Sequence, residues 1–135
     1  MKTCEFPSCP TVLLVEDEPI IRELIAIALE DLGAAVTSVE TAQEGLEITS
    51  RSAFSMLLTD VRTPGAVNGL ELAYQVGQSQ PDTCIVVMSG YHDPSSCALP
   101  SGAIFLPKPW TLDHFIGVIS DQLARSASLR AQPAA

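Results

Sequence analysis

Short apolar runs recur along the chain, and most of them end at a polar or charged residue. The first run, Thr11 to Val15, is followed by Glu16; the third ends in Asp60 and the fourth in Ser89. A strand buried on both faces of a parallel sheet can be apolar at every position, whereas a half-solvated strand alternates. These runs predict five strands, at residues 11–15, 35–39, 55–59, 84–88 and 103–106.

Helix signals fill the segments between the strands. Pro19 suits the first turn of a helix that Gly33 ends, and Thr41 followed by Glu44 has the spacing of a capping box. Further candidates for helix N-caps are Asn68 and Thr111. Strands and helices therefore alternate along the chain.

This alternation predicts an α/β fold, a doubly wound five-stranded parallel sheet with right-handed crossovers. Pro94 and Pro100 leave room for only a short or distorted fourth helix between the last two strands. The 135 residues, 47% of them hydrophobic, can build one core but not two. We therefore expect a single domain over residues 11–125, with a flexible leader at 1–10 and a flexible tail at 126–135.

The charge balance narrows the choice of partners. Seven basic against sixteen acidic residues give a net charge of −9, which repels phosphate backbones and anionic lipid surfaces. The sequence shows neither a signal peptide nor an apolar stretch of membrane-spanning length. We expect a cytoplasmic protein that binds neither nucleic acid nor membrane directly.

Chemistry-bearing residues cluster at the predicted strand ends. Glu16 and Asp17 follow the first strand, Asp60 ends the third, Ser89 ends the fourth and Lys108 follows the fifth. Each has an ordinary explanation on its own, such as helix capping or turn formation, but together they would share one rim of the sheet. Clustered carboxylates favour a hard divalent cation such as Mg²⁺, and a strand-end carboxylate beside a lysine could act as a nucleophile towards a phosphoryl group.

Four motifs resemble those of response-regulator receiver domains, the CheY-like superfamily, over about residues 10–125. They are Val-Leu-Leu-Val-Glu-Asp-Glu-Pro, Leu-Leu-Thr-Asp-Val-Arg-Thr-Pro-Gly, Val-Met-Ser-Gly-Tyr and Leu-Pro-Lys-Pro-Trp, in the family's order. The resemblance implies a flavodoxin-like (βα)5 fold with strand order 2-1-3-4-5. It also implies a stand-alone receiver, because the sequence after the last helix is too short for an output domain.

The resemblance assigns a role to each site residue. It makes Asp60 the phosphoacceptor, with Ser89 and Lys108 contacting the phosphoryl group. For Mg²⁺ it implies Asp17 and Asp60 as ligands, Glu16 acting through water, and the main-chain carbonyl of Arg62. The protein would then be no enzyme in the ordinary sense, performing only Mg²⁺-dependent self-phosphorylation and slow self-dephosphorylation.

The resemblance further implies a conformational switch and a tuning pair. Ser89 and Phe105 are the switch positions. Arg62 and Tyr91 would slow hydrolysis of the aspartyl phosphate by screening the phosphoryl group from water. The Lys108-Pro109 bond is expected to be cis. One departure is an inserted residue, because Gly69 lies nine residues after Asp60 where the family has eight.

The implied partners are a histidine kinase or histidine phosphotransfer protein and a downstream protein target. We expect an exposed apolar patch around Ile20 and Ile21 to select among partners. Because the fourth helix is weak, we expect a monomer before phosphorylation.

Two alternatives remain at the level of the sequence. One is an atypical receiver that acts mainly as a protein-binding module, with little or no phosphorylation. The other is an aspartyl-phosphate phosphatase of the haloacid-dehalogenase type. It is disfavoured because that family's pattern has a second Asp where this chain has Arg62.

Overall fold

The computed structural model describes residues 9–63, 65–90 and 99–131. Its strands are β1 (Thr11–Val15), β2 (Ala35–Val39), β3 (Met56–Asp60), β4 (Cys84–Ser89) and β5 (Ile104–Pro107). Its helices are α1 (Pro19–Asp31), α2 (Ala42–Thr49), α3 (Gly69–Ser79) and α4 (Leu112–Ala131). The predicted alternation of strands and helices is confirmed.

All five strands are parallel, in the order β2-β1-β3-β4-β5. The chain reverses its direction of winding at β1 and β3, so their carboxyl ends flank the crevice where ligands bind in folds of this kind. Both the flavodoxin-like fold and the predicted strand order are confirmed.

Two hydrophobic clusters cover the sheet, one on each face. Val12 and Leu14 of β1 lie in one cluster, whereas Leu13 and Val15 lie in the other. This alternation follows from the two-residue period of a strand, and it explains why the central strands are apolar at nearly every position. The first cluster includes residues of α1 and α4, and the second includes residues of α2 and α3.

Side-chain caps at Thr41, Asn68 and Thr111 fix three of the helix starts as the sequence predicts. The Asn68 side chain accepts a hydrogen bond from the Glu71 main chain, and Glu71 reciprocates to complete a capping box. Thr41 accepts from the Glu44 N–H at the start of α2. These bonds satisfy main-chain donors that would otherwise lack partners.

The predicted boundaries of the domain, residues 11 and 125, need correction. α4 continues to Ala131, beyond the predicted boundary at residue 125. The hydroxyl of Ser126, which is 1% exposed, donates to the Ser55 carbonyl at 3.2 Å and so anchors the helix past that boundary. Near the other end, the Pro10 carbonyl accepts from the Ala35 N–H at 2.8 Å, so this residue of the expected leader joins the sheet edge.

The predicted fourth helix falls mainly on residues 91–98, which lie outside the described part of the chain. Within that described part, no helix is long and apolar enough to cross a membrane.

Candidate functional site

Four charged side chains meet at the carboxyl edge of the sheet. Lys108, just after β5, places its ammonium nitrogen 2.9 Å from Oδ2 of Asp60 and 3.1 Å from Oε1 of Glu16. Asp17 completes the group, since carboxylate oxygens of Glu16, Asp17 and Asp60 all lie within 4.8 Å of one another. Residues distant in sequence are thus assembled because β1, β3 and β5 end at one rim.

Burial differs sharply among the three acids. Glu16 is 1% exposed and Asp60 is 9% exposed, whereas Asp17 lies open to solvent. The cluster therefore has buried carboxylates on one side and the exposed Asp17 on the other, where a solvated ion or a partner can approach.

Glu16 and Lys108 have perturbed protonation equilibria. Burial raises the pKa of Glu16, although a main-chain hydrogen bond from Glu18 and the positive charge of Lys108 oppose the rise. Burial alone would lower the pKa of Lys108. However, Lys108 donates hydrogen bonds to Asp60 and Glu16 and is attracted by their negative charges, and together these interactions outweigh burial and raise the pKa. Lys108 is therefore firmly cationic at neutral pH.

Main-chain groups orient the two buried carboxylates. The Arg62 N–H donates to Oδ1 of Asp60 at 3.3 Å, and the Glu18 N–H donates to Oε2 of Glu16 at 3.2 Å. Lys108 is itself tied to the sheet, because its N–H donates to the Ser89 carbonyl at 3.0 Å. The charged groups are thus held by backbone as well as by one another.

The donor set fits a hard divalent cation. Three carboxylates supply oxygen ligands within a few ångströms, and Mg²⁺ favours oxygen ligands from one or two carboxylates together with waters and phosphate. The solvent-exposed Asp17 leaves room for those waters. Mg²⁺ is therefore compatible with the residues present.

Some of the remaining predicted site residues lie near the carboxyl edge of the sheet. Ser89 is 2% exposed at the end of β4, and Phe105 is half-buried on β5 beside Val87. Arg62 is exposed next to the acidic cluster. Tyr91 lies outside the described residues. The Lys108-Pro109 bond is cis, as predicted.

The loop after Asp60 contains a glycine turn and two hydrogen bonds of the Thr63 side chain. Gly65 has φ 102°, a left-handed conformation suited to glycine. The Thr63 hydroxyl donates to the Val67 carbonyl at 3.2 Å and accepts from the Ala42 N–H at 3.4 Å. At the end of this loop the Gly69 N–H donates to the Val61 carbonyl at 2.9 Å.

A groove of about 1030 Å³ between α1 and α4 was not foreseen from the sequence. We call it the α1–α4 groove; its apolar lining includes Ile21, Leu24, Ile25, Trp110, Leu112 and Phe115. One end opens onto Asp60 and Lys108. On its rim Leu24 is 62% exposed, and the neighbouring Ile20 of the predicted apolar patch is 75% exposed.

Sequence reasoning also missed Arg22, whose guanidinium donates to the Glu16 carbonyl at 2.9 Å. The available signal was an arginine one helical turn after the acidic residues, but that spacing alone indicates an ordinary solvated charge.

A parallel sheet in this order, with an acidic cluster and a lysine at its carboxyl edge, defines the receiver class of signalling modules. The family model for the response regulator receiver domain matches residues 12–120, and the chain belongs to this family. It is accordingly a module of two-component signal transduction rather than a classical enzyme.

Individual relatives agree with this assignment. The chain is 34% identical over 114 residues to the response regulator protein PilR of Pseudomonas aeruginosa, an alignment that covers 82% of this chain and 25% of PilR. It is 32% identical over 124 residues to the transcriptional regulatory protein FixJ of Azorhizobium caulinodans, covering 90% of this chain and 58% of FixJ. The chain thus spans about a quarter of PilR and rather more than half of FixJ.

Solved structures show the same architecture over whole chains. The crystal structure of a response regulator receiver protein from Sinorhizobium medicae superposes with a TM-score of 0.78 at 29% identity, covering 88% of this chain and 98% of that one. A CheY-like receiver domain protein from Methanospirillum hungatei gives 0.81 at 26% identity, covering 90% and 99%.

Proposed function

We propose that Asp60 accepts a phosphoryl group from a histidine kinase or histidine phosphotransfer protein and that phosphorylation alters binding to a downstream protein in the cytoplasm. The observation that carries the proposal is the pairing of Lys108 with both Asp60 and Glu16 at the open carboxyl edge. A structural ion pair would need only one carboxylate, whereas here one cation pairs with two carboxylates, and a third has an oxygen within 4.8 Å of theirs.

The transfer is a single displacement at phosphorus. An Asp60 carboxylate oxygen attacks the donor's phosphohistidine, so that a P–O bond forms as the P–N bond breaks and the departing imidazole takes a proton from solvent. Lys108 would stabilise charge on the phosphoryl oxygens, a role supported by its distance of 2.9 Å from Oδ2 of Asp60. Bound Mg²⁺ would supply positive charge that offsets repulsion between the carboxylate and the anionic donor.

The other residues take the following roles in the proposal. Asp17 and Asp60 ligate Mg²⁺ directly, Glu16 acts through water, and the Arg62 carbonyl is a further ligand. The Ser89 hydroxyl donates to a phosphoryl oxygen. When Ser89 moves towards the phosphoryl group, Phe105 on the adjacent strand shifts into the space that Ser89 leaves. Arg62 and Tyr91 screen the aspartyl phosphate from water.

The α1–α4 groove is the proposed contact surface for the phosphodonor. A donor histidine that reaches Asp60 must bring its own protein over this end of the sheet, and the groove is continuous with Asp60 and Lys108. Exposed Ile20 and Leu24 supply apolar contact area there.

The test is intact-mass measurement after incubation with acetyl phosphate, with and without Mg²⁺. We expect one phosphoryl adduct in the presence of Mg²⁺ and none in an Asp60→Ala variant. Asp121→Ala is the matched control, because Asp121 is an exposed carboxylate of α4 outside the acidic cluster, and it should be phosphorylated like the wild type.

An adduct that persists in Asp60→Ala would contradict the assignment of the phosphoacceptor. No adduct in the wild type with either acetyl phosphate or a phosphorylated histidine phosphotransfer protein would favour the alternative of a contact-regulated binding module.

A further inference from the structure

Arg22 of α1 connects three parts of the acidic edge. Its Nη1 donates to the main-chain carbonyl of Glu16 at 2.9 Å, and its Nη2 lies 3.8 Å from Oε1 of Glu40, the residue after β2. The Arg22 side chain is 20% exposed, whereas Glu40 is 67% exposed. The Arg22 side chain is therefore largely buried, although its ion-pair partner is open to solvent.

The carbonyl that Arg22 holds belongs to the peptide unit joining Glu16 to Asp17. A peptide unit is planar, so the rotations that direct these two side chains are those on either side of it, ψ of Glu16 and φ of Asp17. A hydrogen bond to the carbonyl restrains the orientation of the plane and thereby limits both rotations. Arg22 thus acts on the backbone between two members of the carboxylate cluster, through a hydrogen bond to a main-chain carbonyl rather than to either carboxylate.

The start of α1 has no side-chain cap. The N-cap residue Glu18 makes no side-chain capping hydrogen bond, and Pro19 at the first helical position has no N–H to contribute. Val39 holds the Glu16 N–H from the neighbouring strand at 3.1 Å. Arg22 supplies the corresponding restraint on the carbonyl side.

We propose that Arg22 is a positioning residue of the Mg²⁺ site, which sets the arrangement of Glu16 and Asp17 by holding the peptide carbonyl between them. The inference rests on the proposed function of the acidic cluster. Metal-site residues that orient ligands commonly change metal affinity by about 10-fold to 100-fold when removed.

Positioning and simple electrostatics predict opposite signs. Removing a positive charge near three carboxylates should by Coulomb attraction strengthen the binding of a cation. Removing a residue that orients those carboxylates should weaken it. The direction of the change therefore separates the two explanations, and loss of overall stability is checked separately by urea unfolding.

The experiment is a Mg²⁺ titration of the full chain by calorimetry and by fluorescence of the single tryptophan, Trp110, which lines the groove that opens onto Asp60. It compares the wild type with Arg22→Gln, Arg22→Lys and Arg51→Gln. Arg51 is an exposed arginine that contacts the Glu47 carbonyl at 3.3 Å, so Arg51→Gln removes the same charge away from the cluster.

We expect the Mg²⁺ dissociation constant to rise about 10-fold in Arg22→Gln and to stay within about twofold of wild type in Arg51→Gln, because solvent and salt screen that charge. Arg22→Lys keeps the charge but not the planar fork, so we expect it to bind Mg²⁺ more weakly than wild type. If Arg22→Gln does not fold, Arg22→Lys carries the comparison.

Equal or tighter Mg²⁺ binding by Arg22→Gln, or wild-type affinity in Arg22→Lys, would overturn the assignment of Arg22 alone. A wild-type protein that binds no Mg²⁺ would overturn the metal site and this inference together, and the phosphorylation assay would show whether Asp60 still functions.

Discussion

Gly69 lies where α3 begins against the backbone of the proposed phosphoacceptor, and Gly69→Ala should damage both stability and site geometry. A Cβ at this position would lie 1.9 Å from the Asp60 carbonyl oxygen and 2.8 Å from the Thr59 hydroxyl oxygen. Because the nearest atom belongs to the backbone, no side-chain rotation relieves the clash. The helix start or the end of β3 must move by about 1.5 Å to restore ordinary contact.

Overpacking that forces backbone movement costs about 1–3 kcal/mol, and we expect Gly69→Ala near the upper end of this range. Where the end of β3 moves, it carries the Asp60 side chain with it, so phosphorylation by acetyl phosphate should also slow, by about 10-fold or more. The matched control is Gly117→Ala in α4, where a Cβ meets nothing within 4 Å. Alanine there should stabilise the protein by about 0.5–1 kcal/mol by favouring the helix.

Urea unfolding of both variants, analysed by linear extrapolation, measures the free energies, and intact-mass time courses measure phosphorylation. The reasoning would be refuted by a Gly69→Ala protein as stable and as readily phosphorylated as the wild type. Destabilisation in Gly117→Ala of similar size would show that glycine replacement in general, rather than the contact with Asp60, is responsible.

Three further predictions concern charge. Lys108→Met leaves Glu16 and Asp60 facing each other without their shared cation, so the unfolding free energy without Mg²⁺ should fall by about 1–3 kcal/mol, and added Mg²⁺ should restore more stability to this variant than to the wild type; equal responses in urea unfolding would contradict this. The raised pKa of Glu16 means that the folded state holds this proton more tightly than the unfolded chain does. The unfolding free energy of the wild type minus that of Glu16→Gln should therefore fall as the pH rises from about 4.3 through the raised pKa. A rise in this quantity over the same interval, in Mg²⁺-free urea titrations, would have the wrong sign. The net charge of −9 opposes self-association, so the unphosphorylated protein should sediment as a monomer, and a dimer in sedimentation velocity at low micromolar concentration would exclude this.

The sequence predicted best what depends on local pattern. The apolar runs located the five strands because burial on both faces is visible in composition, and Asn68 located the start of α3 because its cap is made with Glu71 three residues on. The assembly of Glu16, Asp60 and Lys108 followed once the strands were taken as parallel, since their carboxyl ends share one edge.

Features that depend on contacts across the fold were missed. The composition after residue 125 indicates a loose tail, whereas α4 continues because Ser126 reaches the Ser55 carbonyl on the sheet. Arg22 looks like a solvated helix charge until the β1–α1 connection is seen folded over it. The α1–α4 groove likewise depends on the separation of two helices, which hydrophobic periodicity does not specify.

The charges that Lys108 brings together have a consequence for which ions the edge can accept. Three ionised carboxylates and one ammonium leave the cluster with two excess negative charges. A divalent cation balances that excess, whereas a monovalent ion leaves it half compensated and a trivalent ion reverses its sign. Conversion of Asp60 to its acyl phosphate would remove one negative charge and introduce about two, so the balanced state would become anionic again. The modified edge would then differ from the unmodified one in electrostatic potential as well as in shape, and a partner carrying basic residues could distinguish the two states at a distance.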